Sequence, residues 1–166
     1  MKMNSMMANK LVKQLKERQS ILKEQERDLS SYIVTDGEEP IVPDYNYEEV
    51  RDTIRDIENK IRTIKHAVNV ANVLNTITYE DTTLTVDVAL IKMAQLSERK
   101  QRIESLASAQ AKRRIGTTYG GATEYKYANY DPAIAKIDYE KINNELTQLQ
   151  LALDKYNLTY EFEVEI

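Results

Sequence analysis

The chain of 166 residues contains no cysteine, no tryptophan and a single histidine, His66. Without thiols it can have no disulfide framework, no thiolate zinc site and no thiol nucleophile, which is typical of a cytosolic protein. No run of residues approaches the roughly 18 apolar positions of a membrane-spanning helix. Residues 1–9 also lack the apolar core of a secretory signal peptide. We therefore expect a cytoplasmic protein that does not enter a membrane.

Sequence patterns that carry catalytic or cofactor chemistry are missing as well. His66 has neither a His-Glu-x-x-His nor a Glu-x-x-His partner, the spacings that build metal sites on helices. Gly116, Gly120 and Gly121 precede no Gly-Lys-Ser or Gly-Lys-Thr, so a phosphate-binding loop is not indicated. We expect no catalytic residue, no metal and no cofactor, and hence a protein that is not an enzyme.

Helical periodicity is what the sequence does contain. Between residues 47 and 75 the apolar side chains alternate in steps of three and four, the heptad seam of a packed helix. The seam consists of Tyr47, Val50, Ile54, Ile57, Ile61, Ile64, Val68, Ala71 and Leu74. Related stripes and end signals, such as Asp131 before Pro132, predict helices over about 5–34, 47–75, 86–114 and 132–156.

The carboxyl-terminal residues, about 158–166, alternate apolar and acidic side chains, which predicts a strand. Its candidate partners are residues 76–86, with a hairpin turn at Glu80 and Asp81, and residues 124–130. We predict a mainly α (α+β) fold with a single domain over residues 1–166. In it an antiparallel bundle of four long helices with coiled-coil-like seams carries a small antiparallel β-sheet at one end. If the last strand pairs between chains instead, it becomes an oligomerisation device.

Charge is distributed in blocks, although the net charge is only −4. Residues 1–34 hold seven basic and four acidic groups, residues 36–58 two and nine, residues 92–114 seven and two, and residues 124–166 four and nine. Pairing between neighbouring helices or subunits accounts for this pattern. The alternative is a nucleic-acid face on residues 92–114, against which the acidic net charge argues.

Two groups of polar residues are candidate binding sites. Asn69 and Asn72, followed by Asn75, recur every three residues near the end of the second helix, where amides either cap the helix or bind a partner. Arg113 and Arg114 stand at the predicted basic end of the third helix. The tyrosines that follow these arginines either pack in a sheet or stack on nucleic-acid bases.

The order of these features resembles a family of short uncharacterised bacterial proteins sometimes labelled septicolysin, which carry a domain of unknown function. The similarity spans nearly the whole chain. The matching positions are Leu11, Leu15 and Leu22, the loop 34–40 with Pro43, Asn69 and Asn72, Leu84 and Thr85, Asp131 and Asn157. The resemblance implies an intracellular bacterial protein of unassigned activity. The toxin-like name is not carried over, because the chain has no membrane-seeking segment.

The sequence thus predicts an uncharacterised bacterial protein that acts as a non-enzymatic, self-associating interaction or structural module. We expect a homo-oligomer held through its helices or through the C-terminal strand, with no membrane partner and a protein partner that the sequence does not identify. Two alternatives stay open. One is a nucleic-acid-binding module using the basic third helix, and the other is a small-ligand-binding protein or enzyme built around Asn69 and Asn72.

Overall fold

The computed structural model describes residues 1–117 and 119–166. Over these residues, four helices make up 62% of the chain and alternate with six short strands. The helices are α1 (Ser5–Leu29), α2 (Tyr47–Leu74), α3 (Val86–Ala107) and α4 (Pro132–Thr159). The strands are β1 (Lys2–Asn4), β2 (Thr76–Tyr79), β3 (Thr82–Thr85), β4 (Lys112–Thr117), β5 (Thr123–Tyr127) and β6 (Glu161–Glu163). They form three separate antiparallel pairs, β1–β6, β2–β3 and β4–β5.

The chain divides into two compact units, Met1–Leu74 with Tyr156–Ile166, and Asn75–Lys155. In the first unit α1 and α2 pack antiparallel. Ala8 on α1 and Ile64 on α2 are completely buried in the same apolar cluster. Farther along the pair, Gln19 donates a hydrogen bond to Glu58 at 2.8 Å, and Tyr45 donates one to Glu26 at 3.2 Å.

The predicted seam of α2 is the face that packs in this unit. From Val50 to Ala71 its residues are buried or half-buried, whereas Tyr47 and Leu74 at the two ends are exposed. An apolar stripe at heptad spacing is removed from water when a second helix lies along it. The seam therefore marks a helix pair.

The two ends of the chain meet in the β1–β6 sheet. Met3 lies opposite Phe162 in the register. The amine of Met1 donates a hydrogen bond to the carbonyl of Val164 at 2.7 Å, and the amide of Val164 donates one back to Met1 at 2.8 Å. The predicted C-terminal strand is therefore present but shorter, and it pairs within its own chain. Neither of its predicted partners is available, because residues 76–86 and 124–130 contribute to other strand pairs.

In the second unit β2 and β3 form a hairpin that turns at Glu80 and Asp81, as the sequence predicts. The hairpin leads directly into α3, and Lys100 of α3 donates a hydrogen bond to Asn143 of α4 at 2.6 Å. The buried apolar side chains of the unit include Ile77 and Tyr79 of β2, Val86, Ala89 and Leu96 of α3, and Ile142, Leu149 and Leu153 of α4.

The prediction of a bundle of four long helices with one small sheet is wrong. The third helix ends at Ala107 instead of continuing to residue 114, and residues 112–117 form β4. The first helix likewise ends at Leu29 rather than at residue 34. The helices consequently differ in length, from 22 to 28 residues. The third helix does not include the basic segment because that segment pairs antiparallel with β5, whose threonine and tyrosines favour a strand.

Across residues 1–117 and 119–166, no helix combines the length and the apolar composition that crossing a membrane requires.

Candidate functional site

Strands β4 and β5 together form a two-stranded sheet that we call the basic ribbon. Lys112, Arg113 and Arg114 lie in β4, and Lys126 lies in β5 beside the sheet's one acidic residue, Glu124. The candidate residues Arg113 and Arg114 are therefore on a strand and not at the end of a helix. Because successive strand residues point to opposite faces, the two arginines belong to different faces of the ribbon.

One face of the ribbon combines cations with tyrosines. Lys112 lies opposite Tyr127, and Arg114 lies opposite Tyr125. The ammonium of Lys112 is 4.1 Å from the ring centroid of Tyr125 and 5.3 Å from that of Tyr127, which are cation–π distances. The two tyrosines remain 45% and 63% exposed. Both tyrosines lie in a sheet, as one of the two roles expected from the sequence requires, and their rings stay partly exposed on its face.

The other face of the ribbon places Arg113 directly opposite Lys126. Like charges at opposed positions of an antiparallel pair are destabilising. Within residues 1–117 and 119–166, neither side chain has a hydrogen bond or an ion pair. Both line a cavity of about 640 Å³ that also borders Tyr130 and the end of α3. The hydroxyl of Tyr130 donates a hydrogen bond to the carbonyl of Leu106 at 3.0 Å, which fixes the cavity wall.

The asparagines are not gathered into one site. Asn69 is exposed and lines a shallow cavity of about 300 Å³ between α1 and α2, together with Asn9 and Lys65. Asn72 is half-buried, and its Oδ1 atom accepts no hydrogen bond from the described residues. The backbone carbonyl of Asn75 accepts a hydrogen bond from the amide of Val86 at 2.9 Å, where the β2–β3 hairpin closes. Asn69 and Asn72 thus have different surroundings.

A polar cluster that sequence reasoning missed joins Tyr79 of β2, Lys92 of α3 and Glu145 of α4. The Lys92 ammonium lies 2.7 Å from Glu145 and donates a hydrogen bond to the Tyr79 hydroxyl, which in turn donates one to Glu145 at 3.4 Å. The hydrogen bonds to Glu145 and then to Tyr79 raise the pKa of Lys92 above its ordinary value of 10.5. The available sequence signal was weak: Lys92 adjoins Met93, on the apolar face of α3.

No protein-family model matches the chain, and no curated protein matches it. The chain is similar to a solved structure of a functionally unknown conserved protein from Corynebacterium diphtheriae. The two share 18% sequence identity with a TM-score of 0.71, over 98% of this chain and 100% of that one. At this identity the likeness shows a common fold. It is consistent with an uncharacterised protein, and the resemblance to the septicolysin-labelled family stays a prediction.

Proposed function

We propose that the chain is a non-enzymatic module that self-associates through its helices. The observation that supports this proposal is a second apolar stripe on α4. Ile137, Leu151 and Leu158 are 51%, 59% and 51% exposed and are separated by multiples of seven residues. Asn144 occupies the remaining heptad position. Ile134, one turn earlier, is 60% exposed on the same side of the helix.

This stripe lies on the far side of α4 from the helix's buried seam. The seam consists of Ile142, Leu149, Leu153 and Tyr156. With 100° of rotation per residue, Leu151 lies about 160° away from Leu149 on the helix circumference, taken over the short arc. A helix with apolar residues on two opposite sides either is buried on both sides or binds a partner along the exposed side. Single exposed leucines are ordinary, whereas these apolar residues recur at one heptad position, the spacing at which side chains return to the same face of a helix.

A second copy of the chain is the partner that this stripe fits. Two copies of α4 present the same heptad row, so each copy supplies knobs for the holes of the other. Asn144 then lies within the apolar row. A single amide at such a position selects the register and the number of helices at some cost in stability. The exposed apolar area is thereby removed from water at a gain of about 25 cal/mol per Å².

The Tyr79–Lys92–Glu145 cluster supports a structural role rather than a catalytic one. A lysine acts as a nucleophile only when its amine is unprotonated, which requires a lowered pKa. The pKa of Lys92 is raised, so its ammonium stays charged and hydrogen-bonded. The cluster ties β2, α3 and α4 of the second unit together.

Light scattering across a concentration series tests the proposal. The monomer mass is 19.2 kDa. We expect the measured mass of the wild-type protein to rise with concentration toward at least twice this value. The double variant Ile137→Asp/Leu151→Asp places two carboxylates on the stripe, and we expect it to remain a monomer. The double variant Lys136→Gln/Gln150→Asp lowers the charge of α4 equally at exposed positions off the stripe, and it should associate as the wild type does. A wild-type chain that stays monomeric throughout the series contradicts the proposal.

A further inference from the structure

We propose that the basic ribbon, strands β4 and β5, binds single-stranded nucleic acid: its four cations contact phosphates while Tyr125 and Tyr127 stack on bases. The sequence argued against such a partner on net charge and placed the cations at the end of a helix. The structure corrects the second argument, because the cations lie on a strand pair whose tyrosines are exposed. This inference is independent of self-association through α4.

The local charge of the ribbon is the first step. Its strands hold four basic residues against one acidic residue, although the chain as a whole has a net charge of −4. Arg113 and Lys126 are held opposite each other with no acidic partner among the described residues. Two cations kept side by side repel each other, and an anion between them relieves that repulsion. The pair therefore favours an anionic ligand.

The two tyrosines favour nucleic acid over an acidic protein segment as the ligand of the ribbon. The ring centroids of Tyr125 and Tyr127 lie 6.5 Å apart, and both residues are exposed beside the Lys112 ammonium. Proteins that bind single strands combine basic grooves with aromatic side chains on which successive bases stack. An acidic peptide would use the cations but would gain little from the rings.

The cavity beside the ribbon is the third step. Arg113, Lys126 and Tyr127 all line this cavity. The volume of about 640 Å³ lies within the range of sites that enclose small organic ligands. A strand whose bases stack on the tyrosines can thus place a neighbouring nucleotide against the Arg113–Lys126 pair.

Fluorescence anisotropy with the full chain and labelled single strands tests the inference. The probes are oligothymidylate and oligouridylate of about 15 nucleotides, the upper end of common site sizes, and a DNA duplex of equal length. We expect both single strands to bind more tightly than the duplex. With four phosphate contacts, log affinity should fall against log salt with a slope of about −3. Absence of binding to both single strands at low salt, or equally tight binding of the duplex, overturns the inference.

Variants of the ribbon distinguish phosphate contacts from base stacking. Arg113→Gln/Lys126→Gln should about halve the salt slope, whereas Arg99→Gln/Arg102→Gln, which removes the same charge from the exposed side of α3, should leave the slope unchanged. Tyr125→Leu/Tyr127→Leu should weaken binding about ten-fold for each tyrosine, and Tyr125→Phe/Tyr127→Phe should restore it. Circular dichroism confirms that each variant is folded. If polyglutamate competes as well as the oligonucleotides do, and the leucine variant binds normally, the ribbon is a site for an acidic protein segment and the inference fails.

Discussion

The side chain of Asn4 donates a hydrogen bond from Nδ2 to the backbone carbonyl of Leu158, 2.9 Å away and 154 residues later in the chain. Its Oδ1 atom accepts a hydrogen bond from the amide of Met7 at 2.9 Å, which makes Asn4 the N-cap of α1. The last four carbonyls of a helix have no partner within it, and Leu158 is in the last turn of α4. One side chain thus satisfies the start of the first helix and the end of the last.

Replacing Asn4 by alanine should lower the free energy of unfolding by about 2 kcal/mol, as the sum of a lost cap and a lost hydrogen bond, each worth about 1 kcal/mol. Asn4→Asp keeps the acceptor that caps α1 and removes the donor to Leu158, so it should lose about half as much. Urea unfolding followed by circular dichroism measures both variants. Equal losses in the two would show that the cap contributes nothing.

The ammonium of Lys92 gives the second unit a dependence on alkaline pH. Its pKa is raised in the folded chain by Glu145 first and Tyr79 second. A group whose folded pKa is the higher one stabilises the fold fully below its unfolded pKa, ordinarily 10.5, and this contribution is lost as the pH rises through the folded pKa. We therefore expect unfolding free energy to fall as the pH rises above 10.5.

Other lysines and tyrosines titrate in the same range, so the contribution of Lys92 has to be isolated by a comparison. Glu145→Gln removes the carboxylate that is the largest cause of the raised pKa. We expect this variant to be less stable than the wild type at neutral pH and to lose less stability on going to alkaline pH. Urea unfolding of both proteins at neutral and at alkaline pH provides the measurement. If the unfolding free energies of the two proteins fall in parallel as the pH rises, the cluster is not the source of the pH dependence.

Local patterns in the sequence predicted local structure well. The α2 seam and the hairpin turn at Glu80 and Asp81 are both present, because each is specified by residues that are close in the chain. The C-terminal strand was predicted, but its partner was not. β1 has only three residues and pairs across almost the whole length of the chain, and a segment this short carries no periodicity of its own.

The error at the end of α3 has a different origin, and it affected the candidate site. A run such as Lys112–Arg113–Arg114 suits the C-terminus of a helix and equally an exposed strand edge, where charged residues prevent aggregation. Only the pairing with β5 decides between these structures, and that pairing depends on a segment that begins at Thr123. The residue types at the candidate site were therefore identifiable from the sequence, whereas the surface that they share with Tyr125 and Tyr127 was not.

The turn between β2 and β3 offers the last prediction. Glu80 has a φ angle of 49°, a left-handed conformation that costs a residue with a Cβ atom about 1–2 kcal/mol. Glycine adopts it without that cost but loses more chain entropy on folding, about 0.5–1 kcal/mol. Glu80→Gly should therefore raise the free energy of unfolding by about 0.5–1 kcal/mol, and Glu80→Val should lower it, since a β-branched residue tolerates a positive φ angle least.

Asp81→Gly is the matched control in the same turn. Asp81 does not share the positive φ angle of Glu80, so glycine there relieves no strain and should lower stability. Urea unfolding of the three variants distinguishes strain at one residue from a general effect of glycine in the turn, and a stabilising Asp81→Gly would favour the general effect.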